Sequence, residues 1–193
     1  MREAIERAWK DSLQLRQELL NSPEHIALIE QIATAVIETF QNGGRVFFCG
    51  NGGSAADAQH LAAEFTGRYY KDRPPLPAEA LHVNTSFLTA VANDYSYEET
   101  YARLLRGWGR AGDLLWAMST SGNSPNVLRA LDTARELGMR TVGLTGATGG
   151  KMLGRCDYLF RVPSTDTPRI QEIHMLVGHI VCELVERALF GEP

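Results

Sequence analysis

RVFFCGNGGSAADAQHLAAEF, from Arg45 to Phe65, runs from a short apolar strand through a glycine-rich turn into a helix. The strand is continuously apolar, as suits a strand covered on both faces. Gly52 and Gly53 let the backbone approach a ligand closely, and Ser54 is placed to cap the helix, whose free amides and dipole favour a negative group. A turn that merely joins strand to helix has the same composition, so this stretch alone identifies no ligand. Further along the helix, His60 and Glu64 stand four residues apart, which puts both side chains on one face.

The same texture recurs outward from this segment. DLLWAMS from Asp113, RTVGLTG from Arg140, YLFRVP from Tyr158 and, less regularly, AEALHV from Ala78 complete five short strands separated by turns and helical patterns. Apolar strands joined by helical crossovers predict an α/β three-layer sandwich, with a five-stranded parallel sheet flanked by helices. Before it, Ile5, Ala8, Leu13, Leu15, Leu19 and then Ile26, Ile29, Ile32, Val36 recur at helical intervals. Ser22 as N-cap and Pro23 as first helical residue split this stretch in two. The chain closes with a helix from Arg169 to Phe190, apolar nearly all round, which predicts burial by several neighbours, a partner subunit among them. Pro74, Pro75 and Pro77 make YYKDRPPLPAEA, from Tyr69, an extended connection within one domain. That domain spans 1–193, with 1–42 as an N-terminal helical segment serving oligomerisation.

The 193 residues are 44% hydrophobic and 22% charged, with a net charge of −4. This balance is that of a soluble globular protein and gives no basic footprint for nucleic acid. An anion must then be gripped by a few local groups, which favours a small ligand. Cys49, Cys156 and Cys182 are odd in number and widely spaced, and read as reduced thiols of a cytoplasmic protein. The charged, amphipathic opening is not a signal peptide, and no apolar run is long enough to cross a bilayer.

The second unusual loop is STSGNSPN, where Ser119, Thr120, Ser121 and Ser124 crowd around Gly122 and Pro125 opens a helix. Caps explain one or two such hydroxyls; four, with the helix amides, could ring a phosphate without any lysine. Neither a GxxxxGK(S/T) loop nor a GxGxxG fingerprint is present, so a phosphorylated small molecule is expected and a nucleotide cofactor is not. On the last helix, Gln171 and His179 lie about 80° apart and share a broad face, whereas His174 lies about 140° from His179 and should not join it. Two imidazoles, a carboxylate and an amide oxygen suit zinc or a similar divalent ion, with glutamine an uncommon ligand. Spacing alone does not predict a metal here.

CGNGGSAADAQHLAAEFTGRYYKDRPPLPA, ANDYSYEETYARLL, STSGNSPNVLRAL, LTGATGGKM and RIQEIHMLVGHI, taken in order, resemble the sedoheptulose 7-phosphate (phosphoheptose) isomerases of the sugar isomerase (SIS) superfamily. The resemblance implies a five-stranded parallel sheet and a cytoplasmic homotetramer with sites near subunit interfaces. It also implies conversion of a seven-carbon ketose phosphate to an aldose phosphate that feeds ADP- or GDP-heptose for bacterial surface glycans. Carried over by position, it makes Glu64 the general base and His179 its acid partner, with His60, Glu64, Gln171 and His179 as ligands of a zinc ion. It sets Asn51, Gly52, Gly53, Asn93 and Asp94 against the sugar, with Ser54, Glu64 and Gln171 in the substrate site, and Ser119, Thr120, Ser121 and Ser124 against the phosphate. Pro168 stands where some relatives carry an acidic group, and Asp166 is left out of the site. TAVAND, RIQE, HML and the ending ALF equally resemble a non-catalytic branch that binds the bacterial replication initiator as a tetramer. That branch generally lacks the glutamate and the last histidine. A sugar-phosphate sensor would keep STSGNS without needing Glu64.

Overall fold

In the computed structural model, which describes residues 1–191, the five expected strands all form. They are β1 (Val46–Cys49), β2 (Ala78–Ala80), β3 (Leu114–Met118), β4 (Arg140–Thr145) and β5 (Tyr158–Arg161). They make one parallel sheet in the order β2-β1-β3-β4-β5. Cys49 is opposite Ala117 on β3, so the loops leaving β1 and β3 emerge side by side.

Among the described residues seven α-helices flank the sheet: α1 (Arg2–Leu20), α2 (Pro23–Gln41), α3 (Gly53–Thr66), α4 (Thr85–Asp94), α5 (Thr100–Trp108), α6 (Pro125–Glu136) and α7 (Thr167–Phe190). Successive strand residues face opposite layers. Val46, Phe48, Leu114, Trp116 and Met118 pack into the core formed with α1, α2, α3 and α7. Phe47, Cys49, Leu115 and Ala117 pack beneath α5 and α6. Each large side chain so enclosed contributes about 1.5–3 kcal/mol of apolar burial, which explains why the strand sequences lack polar alternation.

The break between α1 and α2 falls where the sequence sets it: the Ser22 hydroxyl accepts from the His25 amide and Pro23 opens α2. The last helix begins two residues before the expected Arg169, at Thr167, and packs on α2, α3 and α1. Ile5, Trp9 and Leu13 form an exposed apolar stripe on α1. Among the described residues, no helix is long and apolar enough to cross a membrane.

His174 is fully buried on α7, where its Nε2 lies 3.3 Å from the Thr145 carbonyl oxygen. Burial, opposed by that bond, pulls its pKa down to about 4. A histidine near 6.5 when unfolded binds its proton more readily in the unfolded chain. Its contribution to stability is therefore complete above pH 6.5 and lost as pH falls towards 4, by on the order of 3 kcal/mol. Urea unfolding of the protein and of His174→Gln at pH 7 and pH 4.5 should show a smaller acid penalty in the variant.

Candidate active site

In a sheet of this order the chain reverses its direction of growth between β1 and β3, and ligands of open parallel sheets bind in the crevice beyond the carboxyl ends at that point. The two loops singled out by sequence, 50–53 and 119–124, leave those two strands. They are stitched together by Asn51 and Asn126, whose side-chain amides exchange two hydrogen bonds of 2.8 Å. The Tyr97 hydroxyl donates to Asn51 Oδ1 at 3.1 Å, and the Tyr101 hydroxyl donates to the Gly50 carbonyl at 2.5 Å.

Helices α3 and α7 run alongside in the same direction, with Gly53 against Gln171 and Leu61 against Gly178. This brings His60, Glu64 and His179 together, although 119 residues separate the two histidines. His60 Nε2 lies 3.0 Å from Glu64 Oε1 and 3.4 Å from His179 Nε2. The three side chains each offer a ligand atom, all within 4.8 Å of one another. Zinc–ligand bonds of about 2.0–2.1 Å imply tetrahedral edges of roughly 3.3 Å, so this donor set has the span and chemistry of a divalent-ion site. Burial and the neighbouring His60 hold the His179 pKa below the ordinary histidine value against the pull of Glu64. That shift favours the neutral ring, the form a ligand imidazole takes. His60 is exposed, Glu64 and His179 half-buried, so the group is open to a solute.

The fourth expected ligand, Gln171, presents its amide to the start of the same helix: a methyl on Gly53 would lie 2.5 Å from Gln171 Nε2. The close approach at Gly53 is thus to the flexible end of this side chain. His174, set aside on angular grounds, is indeed turned into the core. Ser54 does not cap α3 as its sequence suggests. The capping position is Gly52 (φ 57°), no side chain caps the helix, and Ser54 is a buried residue of the first turn. A backbone with positive φ suits glycine, so the helix starts two residues too early for Ser54 to serve.

In the serine loop, Ser124 does occupy the N-cap position of α6, yet its hydroxyl meets Ser119 Oγ at 2.9 Å instead of a helix amide. The Ser121 hydroxyl accepts from the Asn123 amide, Thr120 is half-buried, and Gly122 (φ 67°) lets the loop press against Gly149. Pro125 has no amide, the Val127 amide donates to Asn126 Oδ1 and the Leu128 amide to the Ser124 carbonyl, so in the first turn of α6 it is the Asn126 amide that can meet an anion. Asn93 and Asp94 end α4, exposed and bonded to each other. It is Tyr97, three residues later, that reaches the strand-end loops. Asp166 is the N-cap residue of α7, its side chain making no cap bond.

Sequence reading missed several residues here. Asp57 shares the α3 face with His60 and Glu64, and its Oδ2 is buried without a partner. Burial raises its pKa, opposed by His60. Its spacing of three residues before His60 was a readable signal. Asn126, next to Pro125 in STSGNSPN, was within view as well. A cleft of about 360 Å³ at the opposite, amino end of the sheet, between Phe47, Leu76 and Trp108, carries none of the expected site residues.

The model of the SIS domain matches residues 10–146. The phosphoheptose isomerase of Aneurinibacillus thermoaerophilus is 52% identical over 190 residues, covering 98% of this chain and 96% of that protein. The chain belongs to the SIS-domain family, among its phosphoheptose isomerases. Another phosphoheptose isomerase, from Rhodospirillum rubrum, is 58% identical over 161 residues, covering 83% of this chain and 86% of its own. Within the family's solved structures, the phosphoheptose isomerase of Neisseria gonorrhoeae superposes with a TM-score of 0.90 at 40% identity, over 96% of this chain and 98% of its own.

Proposed function

We propose that this chain is an aldose–ketose isomerase that converts sedoheptulose 7-phosphate to D-glycero-D-manno-heptose 7-phosphate through an enediolate. The observation that carries the reading is the grouping of His60, Glu64 and His179 within 4.8 Å, on helices that flank the β1 loop. The names of the relatives, at about half identity over nearly the whole chain, supply the substrate class.

In this reading, Ser119, Thr120, Ser121 and Ser124, with the Asn126 amide at the start of α6, hold the phosphate. Fixing that distant group lowers the entropic cost of bringing the reacting end into place. Asn51, Gly52, Gly53, Asn93 and Asp94 line the sugar. One oxygen of Glu64 lies against His60, and the other takes the proton from carbon 1 and delivers it to carbon 2. The hydroxyl proton passes from oxygen 1 to oxygen 2 with His179 as the acid partner, so the double bond moves and no atom is gained or lost. His60, Glu64 and His179 would hold zinc, which when bound supplies a Lewis acid against the developing oxyanion; Gln171, whose amide lies against Gly53 about two turns before His60, would join them as fourth ligand only with its side chain redirected.

We further propose that the molecule acts in the cytoplasm as a homotetramer of single domains, its 1–42 segment packing between copies. The exposed apolar stripe of Ile5, Trp9 and Leu13 supports this. Its product would serve ADP- or GDP-heptose synthesis for surface glycans such as lipopolysaccharide. The initiator-binding alternative has no need of the carboxylate and two imidazoles gathered here, and nothing else in the site favours it. Incubation of the pure protein with sedoheptulose 7-phosphate should yield the aldose phosphate, at a rate that falls when a chelator removes divalent metal. Absence of product with metal supplied would overturn the reading.

A further inference from the structure

Glu186 lies seven residues beyond His179 on α7, two turns along the same face. Its carboxylate is 2% exposed and accepts four hydrogen bonds: from the amides of Tyr69 (3.2 Å), Tyr70 (2.8 Å) and Lys71 (2.8 Å), and from Arg73 Nε (3.2 Å). The Arg73 side chain is buried as deeply, and its guanidinium donates to the carbonyls of Glu64 (2.8 Å) and Phe65 (2.6 Å) at the end of α3. One ion pair thus ties together the helix end that carries Glu64, the helix that carries His179, and the segment between them. That segment delivers the Tyr69 ring to His179, at 5.8 Å between centroids, while His60 contacts the same imidazole at 5.1 Å. The imidazole therefore has an aromatic neighbour besides the histidine that its Nε2 addresses.

We propose that Tyr69, anchored through its backbone by the Glu186–Arg73 pair, is a positioning residue that holds the His179 ring with Nε2 towards His60 and Glu64. It acts by limiting rotation of the imidazole, as groups around a ligand histidine generally do. The kinetic part of the idea rests on the isomerase reading; the geometric part does not.

Replacing Glu186 or Arg73 would disturb the fold, so the test is placed on Tyr69, which is half-buried. In a crystal structure of metal-free Tyr69→Ala, the His179 ring should turn away and the 3.4 Å contact with His60 should be lost. Zinc affinity, measured by competition with a chromophoric chelator, should weaken about 10-fold or more, and kcat should fall about 10-fold with KM nearly unchanged. Tyr69→Phe, which keeps the ring, should restore all three. An alanine variant whose His179 ring stays in place overturns the proposal, whatever its activity. So does one that only lowers the melting temperature while zinc affinity is unchanged. If the parent protein fails to turn over the heptose phosphate, the isomerase reading falls, and the ring orientation still decides the role of Tyr69.

Discussion

Glu64→Gln is expected to lower kcat about 10²- to 10⁴-fold, the usual worth of a positioned acid–base group. The amide keeps the shape of the carboxylate and still offers an oxygen to His60, so helix α3 and the serine loop should be undisturbed. What it loses is the capacity to take up and return a proton. KM for the sugar phosphate should therefore stay within a few-fold, since the hydroxyls proposed to hold the phosphate lie on another loop. Incubation in deuterated water separates chemistry from binding, because the intact enzyme should exchange the carbon-bound proton during turnover and the variant should not. A variant that isomerises at the parental rate would remove Glu64 from the role of base.

Glu186→Ala should be the most destabilising single change outside the apolar core. It leaves Arg73 charged and 3% exposed, with three amides of the 69–71 segment unpaired. Breaking one side of a buried pair costs about 3–5 kcal/mol, which for a domain of this size lowers Tm by roughly 10 °C. Arg73→Ala should cost a similar amount, and the double variant less than the sum, because each single change already strands the other charge. Burial alone would raise the Glu186 pKa; the amides of Lys71, Tyr70 and Tyr69 and the Arg73 guanidinium outweigh it and hold it below the ordinary glutamate value. Its stabilising effect is therefore complete above about pH 4.5 and lost as pH falls through the lowered folded value. A loss under 1 kcal/mol in urea unfolding would show that the pair is not the anchor described.

The sheet was legible because its strands are covered on both faces, which leaves uninterrupted apolar runs at 46–49 and 114–118 and a shorter one, 142–144, within β4. Helix α4 escaped notice for the converse reason: Val91 is its one buried residue, so burial imposes no periodic pattern. Helix α5 buries Tyr101, Ala102 and Leu105, three positions in one short helix, too few for a periodic pattern to stand out within the family motif that spans them. Within the site, arithmetic on each helix grouped His60 with Glu64 and Gln171 with His179. It could not show that α3 and α7 lie side by side, and the resemblance supplied that step. Ser54 was misread because hydroxyl-after-glycine is a cap signature, whereas the positive φ of Gly52 starts the helix earlier. The Glu186 anchor had no local signal at all, since the amides it holds are 115 to 117 residues away.

Where α7 passes α3, a methyl group on Gly178 would lie 2.5 Å from a terminal carbon of Leu61. The gap across which the two imidazoles face each other is thus set, one residue from His179 and one from His60, by a position whose spacer has zero thickness. Any side chain there would act as a wedge, prising the helices apart and stretching the 3.4 Å approach of the two imidazoles. The spacing of the two imidazoles is thus kept by a residue that is no member of their cluster.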